Sequence, residues 1–85
     1  MNATTNRALD MADSFLGPGS REIAPGVFRS ADGLRQVRMT ASDLAPRPDH
    51  FGGSPHLNFE TGSISMNNGR ATFEVSTNMH VVITD

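Results

Sequence analysis

Between Gly17 and Gly26 the spacing of apolar residues along the chain changes, and no other feature constrains the fold as strongly. Before the change, Ala8, Leu9, Ala12, Phe15 and Leu16 recur at three- and four-residue intervals, the spacing of one helix face. Thr4 or Thr5 can cap the start of that helix, and Gly17 before Pro18 stops it, so a helix is predicted over residues 3–16. Its other face carries Arg7, Asp10, Asp13 and Ser14. An amphipathic helix of this length is marginal alone and needs a surface to cover.

After the change the period is two. Val27-Phe28-Arg29 and Leu34–Met39 flank Ser30-Ala31-Asp32-Gly33, and Asp-Gly between alternating segments signals a hairpin. Thr40-Ala41-Ser42-Asp43 fits a capping box that opens a short helical turn through Leu44. Residues 46–55 read as a loop, long for a chain of this size, with His50 and Phe51 in it. His56–Glu60 then alternates strictly, and Ile64 and Met66 continue a strand to the turn signal Asn67-Asn68-Gly69. Ala71–Val75 returns, and Met79–Ile83 forms the last strand. The expected architecture is α+β: an N-terminal helix packed on a four- to five-stranded antiparallel sheet over residues 26–84. Val37, Met39, Leu57, Phe59, Ile64, Phe73, Val75, Val81 and Ile83 supply the core under the helix, leaving the other sheet face polar and open.

With 85 residues, the whole chain is expected to form one domain. It has no cysteine, which removes disulfides, thiolate metal sites and a thiol nucleophile. Apolar runs are too short for a membrane-spanning helix or a signal peptide, so no membrane anchor is expected. All seven basic residues are Arg, which grips phosphate through a planar fork, although coding bias is the simpler source of a Lys-free chain. The net charge of −2 argues against a sequence-blind DNA binder. Residues 21–40 nevertheless carry a net +2, from which a local anion site can be built.

The candidate chemistry centres on residues 56–60. Alternate strand residues share a face, so Leu57 and Phe59 turn to the core while His56, Asn58 and Glu60 align on the opposite side, about 7 Å apart successively. His80 falls on that same face, opposite in sense to Met79 and Val81. Arg38 opposes Val37 and Met39 and joins it too; Arg29 lies across the hairpin, and Arg35 sits near its edge. Such a set suits metal-independent RNA cleavage, in which the 2′-hydroxyl attacks its own phosphate. Glu60 or His56 would serve as base and His80 or His56 as acid, with Arg38, Arg29 and Arg35 clamping the phosphate and Asn58 contacting substrate. No metal and no cofactor are called for.

Glu22–Met39, Pro55–Glu60 and Asn78–Ile83 together resemble the C-terminal toxin domains of bacterial polymorphic toxins, carried on Rhs-repeat, contact-dependent-inhibition or similar delivery proteins. The resemblance covers about residues 8–85 and extends to the barnase, EndoU and colicin-type ribonuclease group, whose fold is an N-terminal helix plus an antiparallel sheet. It implies a secreted ribonuclease that is delivered as part of a larger protein, acts in the cytoplasm of a target cell and is held in check by a cognate immunity protein. The related domains often carry a second His where this chain has Asn58.

Two other readings fit the same residues. His56, Asn58, Glu60 and His80 can hold a divalent ion, as in a metal-dependent nuclease. An acidic domain with a polar sheet face can also be a non-catalytic binding module, such as an immunity or adaptor domain.

Overall fold

A computed structural model describes residues 1–45 and 54–85. The expectations for the loop, His50 and Phe51 among them, lie outside the described residues. The elements are β1 (Asn2–Ala3), α1 (Thr5–Leu16), β2 (Arg21–Ala24), β3 (Val27–Arg29), β4 (Arg35–Arg38), α2 (Ala41–Leu44), β5 (His56–Asn67) and β6 (Arg70–Ile83). The strands form one six-stranded sheet in the order β1-β6-β5-β4-β3-β2, with α1 on one face. Among the described residues, no helix is long and apolar enough to cross a membrane.

The α+β class and the N-terminal helix match the reading of the sequence, but the sheet is larger and mixed. Asn2–Ala3 pairs with Val82–Ile83 as a parallel strand, so the helix begins at Thr5, after the cap at Thr4. Arg21–Ala24 pairs antiparallel with β3, so the sheet begins at residue 21 within what reads as a turn-rich link. The turn into β3 needs Gly26. Its φ is +74°, and a Cβ there would sit 2.7 Å from the Met39 carbonyl oxygen. The third difference is that Ala71–Val75 and Met79–Ile83 belong to one fourteen-residue strand, β6.

The core lies between α1 and the middle of the sheet. Ala8, Ala12 and Leu16 from the helix meet Val37, Leu57, Phe59 and Val81, and Phe15 packs edge-on against Phe59 at 5.3 Å between ring centres. Ile64, Phe73 and Val75, expected in this core, are not in it. On β5 the alternation runs unbroken, so Ile64 faces the same way as Glu60 and away from Phe59. On β6 Thr77 pairs with Thr61 and Val75 with Gly62, which leaves Ser76 as an unopposed extra residue. This β-bulge reverses the facing of β6 on its two sides. Val81 points into the core, whereas Phe73 and Val75 turn to the opposite face with Ile64.

A buried histidine and carboxylate site on the sheet

Register brings the predicted residues into two rows across the face that α1 does not cover. One row runs Arg38–Asn58–His80 over β4, β5 and β6. The next runs Arg29–Gln36–Glu60–Asn78 over β3 to β6. His56 lies one step beyond Asn58 on β5, beside His80, with ring centres 5.1 Å apart.

This face is polar, but it is not open. His56, Asn58 and Glu60 are all buried, Asn58 to within 1% of full enclosure. Part of the cover comes from α2. A single helical turn is too short to be stable by itself, and its cap fixes it in place. Asp43 Oδ2 accepts hydrogen bonds from the Thr40 amide (3.0 Å) and the Thr40 hydroxyl (2.7 Å). The other carboxylate oxygen, Oδ1, is thereby aimed at His56 Nε2, 3.5 Å away. Burial opposes ionisation of Asp43, yet Thr40, Arg38 and the Asn58 amide together hold its carboxyl below the usual carboxylate range. On the other side of the ring, His56 Nδ1 lies 2.9 Å from the Ser54 carbonyl oxygen. Both imidazole nitrogens therefore face oxygen atoms, which fixes the plane of the ring.

Glu60 forms the floor of the site. A buried carboxylate needs donors around it, and three side chains supply them. Gln36 Nε2 donates at 2.8 Å, Asn78 Nδ2 at 3.3 Å, and Arg38 Nη2 lies 3.4 Å away. Gln36 is oriented in turn by Arg29, whose Nη2 and Nε donate to Gln36 Oε1 at 2.6 and 3.2 Å. Asn78 Nδ2 also reaches Asn58 Oδ1 at 3.5 Å, and the Asn58 amide supports the Asp43 carboxylate on the other side. Arg38 Nε is buried and makes no hydrogen bond among the described residues. Arg38 and Asn58 line a cavity of about 280 Å³ together with Asp43, His56, Asn78 and His80. A larger cavity of about 460 Å³, between α1 and Phe59, gathers Arg7 and Asp10 but no histidine.

The structure thus brings together His56, Asn58, Glu60, His80 and Arg38. Arg29 joins them through Gln36, with its guanidinium also stacked 4.9 Å from the centre of the Phe73 ring. Arg35 is not part of the site. Its register partner is Thr61, on the opposite sheet face, and it pairs with Asp32 of the β3–β4 turn at 3.2 Å. Asp43, Asn78 and Gln36 are the contributors that sequence reading missed. Asp43 was legible as half of a capping box, and Asn78 sits two residues from His80, so strand parity alone would have placed it on the site face. Among the described residues, no group of three or more His, Cys, Asp or Glu side chains is placed to hold a metal ion. Compared with known proteins, the chain matches no family model, no curated protein and no solved structure.

Proposed function

We propose that the domain is a metal-independent endoribonuclease of the secreted interbacterial toxin type. The observation that carries this reading is the convergence of Arg38, Asn58 and two histidines on one polar cavity. Arg38 Nε is buried beside it without an acceptor among the described residues, a costly arrangement that a ligand rich in acceptor oxygens would relieve. A phosphodiester has such oxygens, and Arg38 adds the charge to hold it.

In the proposed reaction, His80 takes the proton of the 2′-hydroxyl, and the 2′-oxygen attacks the adjacent phosphorus. The bond from phosphorus to the 5′-oxygen breaks, leaving a 2′,3′-cyclic phosphate. His56, oriented between Ser54 and Asp43, acts as the general acid and delivers a proton to the departing 5′-oxygen. Arg38 and Asn58 stabilise the charge that builds on the phosphoryl oxygens. Glu60 is a positioning residue here: enclosed by Gln36, Asn78 and Arg38, it holds the guanidinium in place. The biological setting proposed with this chemistry is delivery by a larger secreted protein into the cytoplasm of a target cell, with neutralisation by a cognate immunity protein.

The test is incubation of the protein with total RNA, with and without EDTA, beside His56→Ala and His80→Ala. Cleavage that survives EDTA, ends in 2′,3′-cyclic phosphates and falls by about 10²–10⁴-fold in each variant is expected. Intact RNA at high protein concentration, or full cleavage by both variants, would overturn the reading. Loss of cleavage in EDTA would assign the site to a metal-dependent nuclease instead.

A further inference from the structure

We infer that the exposed edge of β6 is a dimer interface, on which β6 of a second copy of this chain pairs antiparallel about Thr72. This inference is independent of the proposed activity. One side of β6 is hydrogen-bonded to β5 from Arg70 to Val82. On its other side β1 pairs with Val82 and Ile83, and no strand among the described residues pairs with Arg70–Met79. Ten residues of extended backbone thus present unpaired amide and carbonyl groups, a template for another strand. The usual defences of an edge are missing. This stretch holds no Pro and no Lys, and its bulge comes only at Ser76.

Charge selects both the partner and the direction. Arg70 and Glu74 are the only charged residues of the stretch; both are exposed, and neither forms an ion pair among the described residues. An antiparallel pair centred on Thr72 sets Arg70 against Glu74 of the second copy, and by symmetry does so twice. In-register parallel pairing would instead oppose Arg to Arg and Glu to Glu. The antiparallel arrangement also sets Phe73 against Ala71 of the second copy. With Ile64 beside Phe73 and Met66 beside Ala71, an apolar row then crosses the seam. Ile64 and Met66 are otherwise 43% and 67% exposed. Opposite charges and apolar pairs directly across two strands are the unit of sheet stabilisation, and a two-fold interface uses each of them twice.

Sedimentation equilibrium up to roughly 0.5 mM measures the association. The wild type is expected to dimerise, and Arg70→Glu and Glu74→Arg are each expected to weaken the dimer about tenfold or more, since each places like charges opposite one another at two points. The double variant Arg70→Glu/Glu74→Arg restores opposite charges across the seam and should restore association. Both positions are exposed, so circular dichroism is expected to show native secondary structure in all three variants. Amide exchange provides a second readout: protection of residues 70–76 in the wild type should rise with protein concentration. A wild type that stays monomeric across the range would overturn the inference. So would a double variant as weak as the single ones.

Discussion

At the scale of single residues, the site is a set of side chains that hold one another. Glu60 is tolerable inside the protein because Gln36, Asn78 and Arg38 surround it, and Gln36 is held in turn by the two hydrogen bonds that Arg29 donates to it. Asp43 does two jobs with its two oxygens, capping α2 with one and facing His56 with the other. Its lowered folded-state pKa links stability to pH. Between that folded value and 3.8, the unfolded chain still binds a proton that the folded chain has released, so stability rises with pH across the interval. The contribution is present in full above about pH 5 and is lost as pH falls through the folded value. Asp85 is shifted the same way by the Thr5 hydroxyl and amide, and Asp32 by the Ser30 hydroxyl and the Leu34 amide. Thermal midpoints measured from pH 2 to 6 are therefore expected to fall steeply below about pH 4 in the wild type. Asp43→Asn should show a shallower fall and a lower plateau near neutrality. An unchanged slope in that variant would mean that the Asp43 carboxylate is not held as the geometry implies.

At the scale of elements, the β-bulge on β6 decides what the sheet face can be. It turns Phe73 and Val75 onto the side of the site, where Arg29 stacks on Phe73, and it keeps Val81 in the core. Gly62 makes the crossing feasible. A Cβ at this position would lie 2.1 Å from the Glu74 carbonyl oxygen and 3.0 Å from the Phe73 ring. Both neighbours are held within the hairpin, so Gly62→Ala must push the strands apart. A loss of roughly 2–3 kcal/mol is expected, read from urea unfolding. A neutral substitution would show that the strands yield there without cost. The same element marks the limit of what the sequence disclosed. The period of α1 and the alternation of His56–Glu60 are strong local signals, and they placed His56, Asn58, Glu60, His80 and Arg38 on one face. The extra residue at Ser76 leaves no local sign, since a bulge is defined by two strands together, and every face assignment beyond it was reversed. β1 and β2 are two and four residues long and carry no readable period; their pairing partners create them. Burial of the site was hidden for a similar reason, because it depends on α2 and on amides from three separate strands.

At the scale of the whole molecule, the sheet is laid down almost in chain order, each strand beside its predecessor, except that β1 closes onto β6. That closure is dense for its length. The Val82 amide donates to the Met1 carbonyl at 2.7 Å, the Thr84 amide to the Ala3 carbonyl at 2.9 Å, and the Thr5 amide and hydroxyl both donate to the Asp85 carboxylate. The carboxylate also sits at the N-terminal end of α1, where negative charge is favourable. Residues 1 and 85 thus lie on neighbouring, parallel-running segments a few residues out of step, a gap that about five linking residues can span. The backbone is, in effect, a circle with one short arc missing. Supplying that arc with a short linker would leave the folded protein as it is and remove freedom mainly from the unfolded chain, raising stability by up to about 4 kcal/mol in the ideal-chain limit. A head-to-tail cyclised form is expected to melt well above the linear protein. It should also refold faster, because the pairing most distant along the chain has become one of its most local.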